Sequence, residues 1–117
     1  MAWYLHKIQV TFVFTDVQNS TKLWEAVPDA MNEGLEKHDL LLRELLKTYR
    51  GYEVKTEGDA FMVSFFTPSD AIMWCIAVQK QLLKIEWSED LLAQPAASKA
   101  YAKEDTVCDQ LHDKWLI

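Results

Sequence analysis

What this chain lacks narrows its identity before any motif is read. Its two cysteines, Cys75 and Cys108, sit in no paired motif, which argues for free thiols in a reducing compartment and against a disulfide framework. No apolar run is long enough to cross a bilayer. The opening residues Met1-Ala2-Trp3-Tyr4-Leu5-His6-Lys7 do not set a charged segment before an apolar one, so no secretory signal is expected. Basic residues are the minority: 12 Lys+Arg against 18 Asp+Glu give a net charge of −6. No Lys/Arg cluster stands out, which makes nucleic acid and anionic membrane surfaces poor partners. There is no Walker-type glycine loop, no zinc-ligand spacing, no G-x-S-x-G and no dinucleotide fingerprint. Internal repeats and low-complexity tracts are absent too.

What is present is the material of a core. Half of the 117 residues are hydrophobic and 12% are aromatic, enough for one small domain. The patterning is strong to about Leu92 and fades from Ala93. This divides the chain into residues 1–92 and a tail, 93–117, that opens as a small, polar linker and has a weak helix expected over 104–116. A strand is expected over 8–15, where Ile8, Val10, Phe12 and Phe14 alternate toward one face. Asp16 follows it, then a polar turn, Val17-Gln18-Asn19-Ser20-Thr21, in which Ser20 or Thr21 is placed to cap a short helix through Leu23 and Trp24. Pro28 opens a longer helix with a stripe of Met31, Leu35, His38, Leu42, Leu45 and Tyr49, flanked by Leu41 and Leu46 and stopped at Gly51. A hairpin of 52–56 and 61–66 turns at Gly58-Asp59, where glycine in the first turn position suits type II′. Thr67-Pro68-Ser69-Asp70 starts a last helix with Ala71, Cys75, Val78, Leu82 and Ile85 on one face, widened by Ile72, Ile76 and Leu83. The order strand, helix, helix, strand, strand, helix implies an α+β domain with its helices on one face of an antiparallel-leaning sheet.

Three residues stand out chemically. Asp16 ends a hydrophobic strand, where a carboxylate is costly unless it is paired or holds a cation; the bland alternative is a turn cap. Asp59 lies at a hairpin tip, an ordinary place for aspartate. The two gain meaning together: if the hairpin lies beside the first strand they converge, as carboxylates do around paired Mg²⁺ in phosphoryl or nucleotidyl transfer. Lys55 shares its strand face with Glu53 and Glu57, opposite Val54 and Thr56, and reads equally well as a surface ion-pair partner. His38 lies on the apolar stripe of the long helix and reads as structural. The tryptophans are scattered and read as core or interface. Cys75 is expected to be buried and inert.

At these residues the sequence resembles a class III nucleotide cyclase catalytic domain. Val13-Phe14-Thr15-Asp16-Val17-Gln18-Asn19-Ser20-Thr21 resembles the family's first metal-binding segment, and 52–62 resembles its hairpin segment. Trp24-Glu25 with Pro28, His38, Arg43 and Trp74-Cys75 with Val78-Gln79 bring it nearest the fungal adenylate cyclases. The resemblance covers roughly residues 8 to 92 and implies a truncated, ferredoxin-like βααββα portion of that domain, followed by an irregular or weakly helical tail. It implies formation of cyclic AMP and pyrophosphate from ATP, with Asp16, Asp59 and the Val17 carbonyl holding two Mg²⁺ or Mn²⁺ ions per site. It also implies that N–H groups of Gln18, Asn19, Ser20 and Thr21 cradle phosphate and that Lys55 reads the purine edge. Such sites form between protomers of a homo- or heterodimer, with metals from one and lysine from the other. A cytoplasmic setting is implied, one that a parent protein can hold at a membrane.

The departures are equally informative. The family's adenine-pairing acid, its ribose-orienting Asn and its phosphate-stabilising Arg belong to the second half of the domain, and no such motif follows Leu92. The chain therefore reads as the front half of a cyclase domain with an unrelated end, through truncation, altered splicing or a frame change. Activity of the isolated chain is expected to be slight. The alternatives are a catalytically dead module that pairs with a complete protomer, and another Mg²⁺-nucleotide domain of polymerase-palm or diguanylate-cyclase type, which the Lys55–Asp59 spacing and the Trp-rich helices disfavour.

Overall fold

Three strands and the helices between them organise the chain in the computed structural model, which describes residues 9–98. They are β1 (Thr11–Thr15), α1 (Ser20–Ala26), α2 (Pro28–Thr48), β2 (Tyr52–Glu57), β3 (Ala60–Phe65), α3 (Pro68–Leu82) and α4 (Glu89–Leu92), followed by a 3₁₀ turn at Pro95–Ala97. The order is the one the periodicities imply, and the fold is α+β. The sheet runs β1-β3-β2 with both pairings antiparallel. The hairpin thus lies beside the first strand through β3, leaving β1 and β2 as the edges.

One face of the sheet carries the core. Phe61, Val63 and Phe65 point from β3 into a cluster with Leu42 and Leu46 of α2 and Ala71, Trp74, Val78 and Leu82 of α3. A smaller cluster joins Leu23, Met31, Leu91 and Ala97. The tail is therefore anchored as far as Ala97, which is buried. The helix expected over 104–116, Cys108 and Ile8 lie outside the described residues. Among the described residues no helix is long and apolar enough to cross a membrane.

The structure corrects several details. The alternation in β1 is real, but Thr11, Val13 and Thr15 face the helices, whereas Phe12 (48% exposed) and Phe14 (71%) lie on the uncovered face with Val10. On α3 Ala71, Val78 and Leu82 are buried as expected and Trp74 joins them; Cys75 is half-buried, its thiol pushed up by desolvation, and Ile72 and Ile76 are exposed. On α2 the buried line is Met31, Gly34, His38, Leu42 and Leu46. Neither Ser20 nor Thr21 caps α1; Asn19 precedes the helix in a left-handed conformation (φ 60°) and makes no side-chain cap bond. Thr67 does cap α3, accepting from the Asp70 N–H at 3.1 Å.

The end of α2 also differs from expectation. The left-handed residue is Arg50 (φ 60°), and the Gly51 N–H reaches back to the Leu46 carbonyl at 2.8 Å. Arg50 is tied to Asp70 at 2.7 Å, which holds that carboxyl below its ordinary range. Gly51 is required by space: a Cβ there would lie 2.5 Å from Leu46 Cδ2 and 2.6 Å from Phe65 Cε1. Gly51→Ala is expected to cost about 1–3 kcal/mol through overpacking, read as a lower urea midpoint with an unchanged slope.

Candidate active site

The antiparallel pairing of β1 with β3 decides where the acidic residues go. The last aligned pair is Thr15 with Phe61, locked by the Phe61 N–H donating to Thr15 Oγ1 at 3.2 Å. Asp16 follows Thr15, and Asp59 lies two residues before Phe61. Both therefore emerge at the same end of the sheet. Asp59 sits in the two-residue turn between Glu57 and Ala60, with Gly58 at φ 59°. The only non-glycine residues of positive φ among those described are Asn19 and Arg50, so Asp59 itself has negative φ and the turn is type II′.

Burial distinguishes the two carboxylates. Asp16, at the strand end, is exposed. Asp59, at the hairpin tip, has a buried Oδ2 with no hydrogen-bond partner from the protein. A buried, unpartnered carboxylate oxygen is costly in an apoprotein, and a cation removes the cost. The donor set suits a hard divalent ion held by one or two carboxylates, with backbone carbonyl, water or phosphate oxygens as the remaining ligands. Among the described residues no group of three or more His, Cys, Asp or Glu converges.

The turn between β1 and α1 is partly engaged. The Ser20 N–H donates to the Val17 carbonyl at 3.3 Å, which leaves that oxygen a second lone pair. Asn19 Nδ2 donates to the Ala96 carbonyl at 3.4 Å, so the segment after α4 braces this turn. A cleft beside it is lined by Asn19, Lys22, Ala26, Gln94, Pro95 and Ala96.

Lys55 lies on the uncovered face, its side chain 61% exposed and its Nζ 3.1 Å from Glu57 Oε1. It stands across from Met62, which stands across from Phe14 on the other side, so a row Phe14–Met62–Lys55 crosses the sheet. Of the two glutamates expected on its face, only Glu57 is there. Glu53 turns to the helix side, where Arg43 grips it with two bonds, Nε–Oε1 at 2.9 Å and Nη2–Oε2 at 3.2 Å. Thr56 Oγ1 donates to the same carboxylate at 2.5 Å. The Arg43 bonds, and then that of Thr56, hold the Glu53 carboxyl below its ordinary range; Arg43 is raised in turn. The sequence reading missed this cluster. Its partners are ten residues apart on a helix and a strand, and no local spacing reveals them.

His38 is structural, as expected: 4% exposed, with Nδ1 2.8 Å from Asp39 Oδ1 and its ring edge-on to Phe61 at 6.0 Å.

These features define a small α+β sheet domain with paired carboxylates at one sheet end and a lysine on its bare face. The chain matches the family model of the adenylate and guanylate cyclase catalytic domain over residues 5–93, and it belongs to that family. It is 55% identical over 82 residues to an adenylate cyclase of Lachancea kluyveri, covering 70% of this chain and 4% of that one. To an adenylate cyclase of Podospora anserina it is 45% identical over 98 residues, covering 84% and 5%. A solved adenylate cyclase from Trypanosoma brucei, described in its monomeric state, superposes with a TM-score of 0.70 and 37% identity, covering 73% of this chain and 37% of that one. The chain thus spans only about a twentieth of these curated relatives. Family membership displaces the palm-like alternative.

Proposed function

We propose that this chain carries the metal-binding half of an adenylate cyclase site, acting on ATP at an interface with another cyclase protomer. The observation that carries the reading is the shared sheet end of Asp16 and Asp59, with the Asp59 Oδ2 buried and unpartnered. Asp16, Asp59 and the Val17 carbonyl would hold two Mg²⁺ or Mn²⁺ ions. Bound there, the ions would supply Lewis acidity toward the ribose 3′-hydroxyl and neutralise charge on the leaving pyrophosphate.

The chain's own groups do the rest. The turn 17–21 offers backbone N–H groups to phosphate; that of Ser20 is already committed to Val17, which leaves the burden on its neighbours. Lys55 donates to a purine ring nitrogen, a contact that favours adenine over guanine. In this reading Lys55 serves one nucleotide and the Asp16/Asp59 pair another, the two sites being completed across the dimer. The bare face bearing Val10, Phe12, Phe14, Tyr52 and Val54 supports that assembly, because it exposes large apolar side chains around the lysine.

The isolated chain is expected to make little cyclic AMP. Mixed with a complete cyclase protomer whose own aspartate pair is replaced, it is expected to restore cyclic AMP formation from ATP. No restoration would sink this reading. The bare face also favours a second reading, an interaction module that lowers the rate of an intact cyclase in proportion to occupancy; an unchanged rate argues against that one.

A further inference from the structure

Helix α1 cannot hold itself. It has seven residues, where an isolated helix needs roughly a dozen or more in water. No side chain caps its start, no acid lies in its first turn, no base lies in its last, and Leu23 is its one buried residue. The turn that leads into it is tied to it by backbone bonds alone, from the Ser20 N–H to the Val17 carbonyl at 3.3 Å and from the Leu23 N–H to the Asn19 carbonyl at 3.2 Å. Order in this stretch has to come from what packs on it.

Much of that packing is supplied by the far end of the described chain. Leu23 is buried together with Met31 of α2 and with Leu91 and Ala97, and Val17 and Ala96 pack against the same cluster. Asn19 stands where asparagine ordinarily caps its own helix, yet its amide goes to the Ala96 carbonyl, 77 residues away. The supporting segment is well anchored. Lys37 of α2 donates to the Glu86 carbonyl at 2.7 Å, and Ser88 caps α4 by accepting from the Leu91 N–H at 3.2 Å. The Gln94 N–H returns to the Leu91 carbonyl at 3.2 Å, and the Ala97 N–H to the Gln94 carbonyl at 3.0 Å. Gly34 gives α4 its seat on α2, since a Cβ there would lie 3.1 Å from Leu91 Cδ2. The family match ends at residue 93, and the local sequence beyond it reads as a linker. Yet this stretch touches the turn on both sides, at Val17 and at Leu23.

We infer that residues 88–97 form a strap that fixes the turn between β1 and α1, and with it the Val17 carbonyl beside Asp16, making Asn19, Leu91 and Ala97 positioning residues for the divalent cation. The cation part rests on the reading proposed above for Asp16 and Asp59; the ordering of the turn does not.

The test uses the full chain, isotope-labelled and without nucleotide. Its first arm is amide hydrogen exchange in the absence of metal. Ala97→Asp, which sets a carboxylate in the apolar cluster, and Leu91→Ala are each expected to speed exchange at Ser20 and Leu23 by at least about tenfold, while Phe61 and Val63 of the main core change less. Leu91→Met, which conserves volume, should behave as the parent. The second arm is the Mn²⁺ concentration that half-broadens the Asp16 and Val17 amides. It should rise about tenfold in Ala97→Asp and Leu91→Ala, the scale of ordering one further backbone residue on binding. Asn19→Gly keeps the left-handed conformation but loses the amide. It should give a smaller change in the same direction, and none beyond that of Ala97→Asp when the two are combined. Unchanged exchange and Mn²⁺ uptake in both strap variants would overturn the inference. So would a lower melting temperature with unchanged Mn²⁺ uptake by the folded chain, the result for a merely structural segment. If the parent shows no broadening at 16–17 and 58–60, the cation reading fails, and exchange at Ser20 and Leu23 still decides the strap.

Discussion

Asp59→Ala is expected to abolish the cyclic AMP that the chain restores in mixtures with a complete protomer, by at least about a hundredfold, without weakening the fold. Both halves follow from one atom. The buried Oδ2 of Asp59 has no partner in the protein, so removing it relieves a desolvation cost. The turn does not need the side chain, because the positive φ falls on Gly58 and Asp59 keeps an ordinary conformation open to alanine. The melting temperature should therefore stay level or rise. A charge-stabilising group in such a site is worth on the order of a hundred- to a thousandfold in rate. Asp59→Asn separates shape from charge and should be as inactive as the alanine variant. An active Asp59→Ala chain, or one that unfolds, contradicts the assignment.

Trp74→Ala is expected to have the largest effect on stability. Trp74 is completely buried, packs on Phe65 at 5.7 Å between ring centroids, and donates its indole N–H to the Leu42 carbonyl at 3.4 Å. It thereby ties α3, β3 and α2 together. Truncating a buried Trp typically costs about 3–5 kcal/mol, against a total stability of about 5–15 kcal/mol for a small domain. The transition followed by circular dichroism should fall by at least about 12 °C. Trp74→Phe, which keeps most of the volume, should fall much less. A shift of under about 4 °C for the alanine variant would mean that this cluster is not the core.

Much of this arrangement was legible from local chemistry. Pro28 at a helix start, Thr67 as a cap and Gly58-Asp59 as a type II′ turn are local features, and each lies where its chemistry puts it. Facing was harder. The alternation of Phe12 and Phe14 marks a strand, but which face the helices cover is settled by α2 and α3, which pack on Val13 and the β3 residues. Aromatic residues on a bare face imitate a buried stripe. On α3 the expected face is right at Ala71, Val78 and Leu82, which are buried, but it passes over Trp74, which is buried completely while Cys75 is only half-buried. Asp16 and Asp59 leave the same end of the sheet because the hairpin lies beside the first strand, but the buried Oδ2 of Asp59 leaves no mark in the local sequence, where a hairpin tip is an ordinary place for aspartate. The bulge between Glu53 and Lys55 was invisible, because a strand's period of two carries no trace of a two-for-one pairing, and so was the Arg43–Glu53 contact beside it, which joins residues ten apart on different elements.

The central claim is that Asp16 and Asp59 share a divalent cation at one end of the sheet. Paramagnetic Mn²⁺ tests it in the full chain without any turnover. Substoichiometric Mn²⁺ should selectively broaden the amide signals of Asp16, Val17, Gly58, Asp59 and Ala60, excess Mg²⁺ should reverse the effect, and Asp16→Ala or Asp59→Ala should eliminate it. Broadening centred on other acidic residues, such as Glu33 and Glu36 of α2, or broadening at 16–17 and 58–60 that survives both substitutions, would contradict the account.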